Sequence, residues 1–353
     1  MCAARQSRPL AAADWAARES LMSDLPLRLV HVGGQQPHDY VPFAGDPLPP
    51  AEVDHSAALL RETAARLRHR RPGLRADTDQ LPGQPVPVLV GAARDAELLV
   101  LGSRGLGAAG GLLLGSVASA VVARTEQPVM LVRAGAGAED EHLSDAAGTP
   151  SEATPYREVV VGLDLSDADD TVLGFAFAAA ARRATGLRVV HGRSGPEPQD
   201  EQTAVHTRIL SPWMARFPGV EVTEESVVGD AGAHLADASQ GACLVVVGRR
   251  IRRAALGPHI GPVTHAVLRH AAAPVATVLP AAEPVGCQQL DHGRRPRCAA
   301  AGRRSACRSG SPSSRAEAGV APLLCTAGRL RSRCRRLDPI RVPGVVGAYY
   351  GGL

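Results

Sequence analysis

Residues Leu99 to Val132, LVLGSRGLGAAGGLLLGSVASAVVARTEQPVMLV, decide the fold. The stretch reads strand, glycine loop, helix, strand. Gly102 and Gly105 stand two residues apart, and nine residues later come Gly115 and Ser116, giving G-x2-G-x9-G-[ST]. Gly102 and Gly105 lack a Cβ, so the backbone turns sharply off the strand and approaches a ligand closely. Gly115 and Ser116 open the next helix, where free N–H groups and the dipole favour an anion. The Ser116 hydroxyl is placed to cap that helix or to meet a phosphate oxygen. The loop therefore reads as a cradle for nucleotide phosphates.

Two rival motifs overlap it. Gly105, Gly107 and Gly110 spell G-x-G-x-x-G. A dinucleotide fingerprint needs an acid about twenty residues on, after the next strand. That strand, PVMLVR from Pro128, ends without one, and Glu126 precedes it. Gly110-x4-Gly115-Ser116 lacks the lysine of a Walker loop. The chain contains no lysine, so all 39 of its basic residues are arginine. Schiff-base chemistry and lysine-dependent kinase chemistry are thereby excluded.

The same unit occurs twice. PLRLVHVGG from Pro26 matches GLRVVHGRS from Gly186, and AELLVLGSRG from Ala96 matches ACLVVVGRRI from Ala242. TEQPVMLVRAG from Thr125 matches AAAPVATVLPA from Ala271. The second copy opens with YREVVVGLDLSD, an apolar strand followed by Asp164.

The glycine pattern and the repeat resemble the universal stress protein family, in its tandem actinobacterial form, over roughly residues 8–284. The resemblance implies an α/β fold with two tandem Rossmann-like (adenine nucleotide alpha-hydrolase-like) domains. Each would carry a parallel five-stranded sheet, order 3-2-1-4-5, with helices on both faces. It further implies ATP as ligand. An Asp after strand 1 would contact the nucleotide, a residue ending strand 2 the adenine, and the loop after strand 4 the phosphates. The site residues carried over are Val32, Gly102, Gly105, Gly115 and Ser116 in the first copy. In the second they are Asp164, Gly248 and Gly261. Ligands in open α/β sheets bind where strand order reverses, here between strands 1 and 4.

Neither copy matches the pattern throughout. MCAARQSRPLAAADWAARES already reads as helix 1, with Leu10, Ala13, Ala17 and Leu21 at helical spacing. The first domain is thus expected to lack strand 1, with Ala4 to Gln6 in the place of the Asp and strands 2 and 4 left to pair or to gap. In the second copy the loop reads GRRIRRAALGPHIGPVTHAV from Gly248. Ile251 replaces the second glycine, and Pro262 after Gly261 offers neither an N–H nor a hydroxyl.

The expected organisation is a first domain over 1–133, a linker over 134–155, a second domain over 156–284 and a tail over 285–353. The linker is acidic and poor in apolar residues. The tail holds 13 arginines against 3 acids, so it carries about +10 of a chain whose net charge is +4. It shows no apolar period and is expected to be disordered and dispensable for folding. Nucleic-acid binding would be confined to this basic tail. Five of the seven cysteines lie there without a C-x2-C pair, which argues against zinc. His31 and His191 end equivalent strands and read as scaffold. Trp15 reads as core.

No apolar run reaches membrane-spanning length and the N-terminus carries no signal-peptide pattern, so the expected location is cytoplasmic. The phosphate loop lacks the acids and paired histidines of nucleotide-cleaving enzymes, and a non-enzymatic binding module is expected. The alternatives are an interaction protein that has lost its ligand and a weak ATP-hydrolysing protein. The two strand-5 segments, from Pro128 and Pro274, should pair antiparallel as an intramolecular pseudo-dimer or a homodimer.

Overall fold

The structure, a computed structural model, describes residues 8–33, 51–105, 112–113, 115–164, 168–193, 199–249, 252–254, 257–280 and 344–349. The chain divides into a unit of residues 1–281 with 341–353, and a second over 282–340 that lies outside the described residues.

In the first half the order is α1 (Arg8–Ser23), β1 (Leu27–Val32), α2 (Ala51–Arg70), β2 (Ala76–Leu81), α3 (Pro85–Ala93) and β3 (Ala96–Gly105). A two-residue β4 (Leu112–Leu113), α4 (Ser116–Arg124) and β5 (Val129–Arg133) complete it. The second half repeats the order as β6 (Glu158–Leu163), α5 (Asp170–Arg182), β7 (Leu187–Arg193), α6 (Gln199–Arg216), β8 (Val222–Val228), α7 (Ala231–Ala238) and β9 (Ala242–Gly248). Then come a short hairpin, β10 (Arg252–Ala254) with β11 (Gly257–His259), α8 (Pro262–His270) and β12 (Val275–Val278).

Local chemistry starts these helices where the sequence says. Asp169 accepts from the Thr171 and Val172 N–H groups at 2.7 and 3.2 Å and so caps α5. Asp230 does the same for α7 through the Gly232 and Ala233 N–H groups. The repeat reaches the backbone itself. Asp24 (φ 51°) and Ala184 (φ 47°) are the two described non-glycine residues with positive φ, and each turns the first helix of its half into the next strand.

The second half is the expected sheet, β8-β7-β6-β9-β12, parallel throughout. The strands buried on both faces, β6 and β9, are runs of valine and leucine, as a parallel interior demands.

The first half overturns an expectation. Its middle strand is present, and residues 344–349 of the supposed patternless tail supply it. This β13 (Gly344–Tyr349) runs parallel between β1 and β3, giving the order β2-β1-β13-β3-β5. Val345 to Tyr349 pair with Leu27 to His31, and Val345 to Ala348 with Leu98 to Leu101. The register breaks between Gly344 and Val345, as it does between Glu158 and Val159 in the second half. The physical reason is backbone satisfaction. Without it, β1 and β3 would each present a buried row of unpaired groups, at roughly 1–3 kcal/mol per group. Helix α1 lies against β13, β3 and β5, and α3 touches β13, β3 and β1.

The two halves join into one sheet. β5 and β12 pair antiparallel, Met130 opposite Ala276 and Thr277 opposite Val129, so no strand-5 edge faces solvent. The Thr277 hydroxyl donates to the Val129 carbonyl at 3.3 Å. Arg249, 1% exposed, crosses the seam and donates to the Val122, Thr125 and Gln127 carbonyls at the C-terminal end of α4. Arg133 donates in return to the Ala271 carbonyl, which ends α8. Burial without a carboxylate pushes the Arg249 guanidinium down to about 10, and it stays protonated at neutral pH. A cation at a helix C-terminus faces the negative end of the dipole.

The segment expected as a free linker is folded. Residues 139–141 form a 3₁₀ turn, and His142 bridges to Tyr156. The Arg157 N–H donates to the Glu141 carbonyl at 2.9 Å, and the rings of His142 and Tyr156 are 4.0 Å apart. Ion pairs fix where the segment sits. Glu141 is buried against Arg18, which Asp14 holds from the other side at 2.6 Å. Nearby, Glu19 of α1 pairs with Arg183 at 2.7 Å and Arg182 at 2.9 Å, both from the end of α5. Arg183 also lies over the rings of Trp15 and Tyr156, 5.7 Å from each centroid. The charges of α1 therefore bind the linker and the second half at once.

Met130 is fully buried opposite Ala276, so Met130→Glu should separate the halves and raise the exchange of the β5 and β12 amides, read by hydrogen exchange. Arg249→Leu leaves three carbonyls at the end of α4 without their donor and should cost on the order of 3 kcal/mol in urea unfolding. Burial pushes the Glu141 carboxyl from 4.5 up to about 6, against the pull of Arg18 and Arg183. The folded state then binds a proton that the unfolded chain has released, so this group's contribution to stability falls as pH rises between about 4.5 and 6. Glu141→Gln should remove that fall, roughly 2 kcal/mol, in unfolding curves taken below pH 4.5 and above pH 6.

Candidate functional site

Strand order reverses between β13 and β3 in the first half, and between β6 and β9 in the second. The glycine loops leave the sheet at these two points, beyond the carboxyl ends of the strands.

In the first half Gly102 is exposed on β3 and Gly105 ends that strand. Arg104 and Gly105 pair antiparallel with Leu113 and Leu112, so the loop folds back as a hairpin. Residues 106–111 and 114 lie outside the described residues. Gly115 is the N-cap of α4 (φ −60°, ψ 150°), and its carbonyl accepts the Ser119 N–H at 2.9 Å. Ser116 is therefore the first residue inside the helix rather than its cap, and it is exposed. The first N–H groups of α4 and this hydroxyl open a helix that packs against β3.

The second half reproduces the helix start. Gly261 caps α8 with φ −62° and ψ 157°, and its carbonyl accepts the His265 N–H at 2.9 Å. A Cβ on Gly261 would meet no described heavy atom within 4 Å, so close approach to this end is open. Asp164 directly follows β6 and is exposed. Two differences set this helix end apart from that of the first half. Pro262 removes one N–H from the helix end. Arg249, the first side chain after Gly248, is drawn out of the loop and across the seam. The Thr264 hydroxyl donates to the Gly248 carbonyl at 2.9 Å and pins the helix to the strand end.

The loops also reach across. β4 lies against α8, and β11 against α4. Each half's hairpin thus touches the helix that follows the other half's loop.

Val32, assigned above to the adenine, has its side chain in the core cluster with Leu89 and Val121. Its neighbour Gly33 gives an N–H to the Leu81 carbonyl at 3.3 Å. A Cβ at Gly33 would come within 2.8 Å of the His31 ring, so the glycine makes room for that imidazole. Burial holds the His31 imidazole below the ordinary histidine range. His191 takes the equivalent place and is also buried.

The place of the family's Asp in the first half follows from register. His191 pairs with Leu163, which precedes Asp164, and His31 pairs with Tyr349, which precedes Tyr350. In sequence Tyr350 follows β13 as Asp164 follows β6. It lies outside the described residues, as do residues 4–6. The signal for this strand was in the sequence: PG, then VVGAYY, then GG, an apolar run bounded by turn residues. Among the described residues no cluster of His, Cys, Asp or Glu could hold a metal ion, and no helix is long and apolar enough to cross a membrane.

Comparison with known proteins agrees with this fold. A sequence model of the universal stress protein family matches the chain twice, over residues 2–133 and 155–278. The universal stress protein Rv2623 of Mycobacterium tuberculosis is 30% identical over 281 residues, covering 74% of this chain and 89% of the relative. A universal stress protein structure from Archaeoglobus fulgidus superposes with a TM-score of 0.56 at 17% identity, covering 76% of this chain and 92% of that one. A single-domain universal stress protein solved in complex with cAMP is 28% identical over 36% of this chain and 100% of its own, with a TM-score of 0.30. With both halves matched and most of the chain covered, the protein belongs to the universal stress protein family.

Proposed function

We propose that the chain is a non-enzymatic, adenine-nucleotide-binding stress protein, with ATP as ligand and the first half's loop as the phosphate site. One observation carries the reading. At the strand-order reversal of the first half, Gly102 is exposed on β3, and α4 opens on Gly115 with Ser116 exposed as its first residue. Such an end offers N–H donors and a favourable dipole to phosphate. The absence of lysine leaves backbone N–H groups, Ser116 and arginine to bind it.

A second reading, an interaction protein without ligand, has its own support. Tyr350 follows β13 where Asp164 follows β6, and the second half has lost Arg249 to the seam and an N–H to Pro262. Affinity in the first half should then be weak, because no carboxylate follows β13.

Equilibrium dialysis with ATP, followed by chromatography of the nucleotide, separates the readings. The full chain should bind ATP and return it unhydrolysed. Gly105→Val should weaken binding at least tenfold, about 1.4 kcal/mol, because its Cβ blocks close approach. Tyr350→Asp should tighten binding by at least about tenfold, because a hydrogen bond to a charged group contributes roughly 1.5–3 kcal/mol. Equal binding by parent and Gly105→Val removes the phosphate assignment. No binding by any of the three supports the interaction reading, and ADP in the mixture overturns the non-enzymatic one.

A further inference from the structure

In the second half the middle strand and the helix that follows it are continuous, with β6 leading through residues 164–169 into α5. In the first half they are separate pieces of chain. α1 begins at Arg8, while the strand beneath it is Gly344–Tyr349. The neighbours of that strand, β1 and β3, both precede it by more than 200 residues. Its hold on the slot is therefore non-covalent and local. It consists of one parallel ladder on each side, with α1 and α3 packed against it. The occupant, GVVGAY, has no charge, and its β-branched and aromatic residues suit a strand in the middle of a sheet.

We propose that the slot between β1 and β3 is a strand-acceptor site, and that the C-terminal segment of this chain is its exchangeable ligand. The partner it fits is a second copy of this chain, which presents the same uncharged strand in trans. This mode of recognition adds a strand to a sheet: main-chain hydrogen bonds supply affinity, and the size and polarity of alternate side chains supply selectivity. An intramolecular strand that leaves its slot exposes two unpaired edges, and edges of that kind draw in a strand from elsewhere. The inference rests on the sheet alone and holds whether or not the glycine loop binds nucleotide.

The test uses the full chain carrying Val346→Pro, which removes a ladder N–H between Arg28 and Leu99 and expels the resident strand. The probe is a fluorescent peptide of residues 341–353. The variant should bind it at least tenfold more tightly than the parent, whose slot is filled. Binding should restore hydrogen-exchange protection of residues 27–32 and 98–101 to the parent's level. The same peptide with proline at position 346 should not bind. Equal peptide affinity for parent and variant, or unchanged protection of those strands in the variant, overturns the proposal. If the variant fails to fold, exchange in the unaltered chain decides. Amides 345–349 protected together with those of β1 and β3 support a filled slot, and exchange at the rate of an unstructured peptide overturns it.

Discussion

The seam between β5 and β12 is what the rest of the molecule hangs on. Three residue pairs, Val275 with Leu131, Ala276 with Met130 and Thr277 with Val129, turn two five-stranded sheets into one. Once these edges are zipped, the ends of α4 and α8 come within reach of the opposite half. Arg249 and Arg133 then satisfy carbonyls at the C-terminal ends of those helices, while β11 and β4 lie against them. The elements that would face an anion are thus each braced by the other half.

A second bond between the halves is ionic and lies on α1. Arg18 and Glu19 are adjacent in sequence, and they hold the linker turn and the end of α5 respectively. Buried ion pairs contribute little net stability, because desolvation offsets the attraction, but a mispaired arrangement is costly. The cluster therefore selects one seating of α1 on its sheet. Within it, the Trp15 indole N–H, the Arg183 Nε and one Glu141 oxygen have no hydrogen-bond partner among the described residues. Such groups are tolerated when the surrounding charges fix their place.

Most of the sheet was legible in the sequence because parallel strands advertise themselves. Val159 to Leu163, Leu98 to Leu101 and Val129 to Val132 are apolar runs of strand length between turn residues. The polar β2 (Ala76–Leu81), ADTDQL, carries no such run. The glycine positions that start α4 and α8 were equally clear, since their spacing to the preceding strand repeats in both halves. What the sequence hid depended on distance. Arg249 reads as a loop arginine until the seam brings Val122 beside it, and Glu141 reads as one acid of a solvated linker until Arg18 meets it. The strand at 344–349 carried a local signal, but six residues inside a long basic segment gave no reason to assign them to a domain that opens the chain.

Chain order gives that strand a consequence in time. A ribosome makes β1 and β3 early and Gly344–Tyr349 last among the strands described. At about 5–20 residues per second, the interval from Gly105 to Gly344 amounts to roughly 10–50 s. Once Val278 is made the second half has all its own strands, while the first half still waits without its middle one. The two repeats, so alike once folded, are therefore completed in reverse order of synthesis. A nascent chain of this protein spends most of its elongation with an open parallel sheet at its leading end, the condition in which cells supply chaperones.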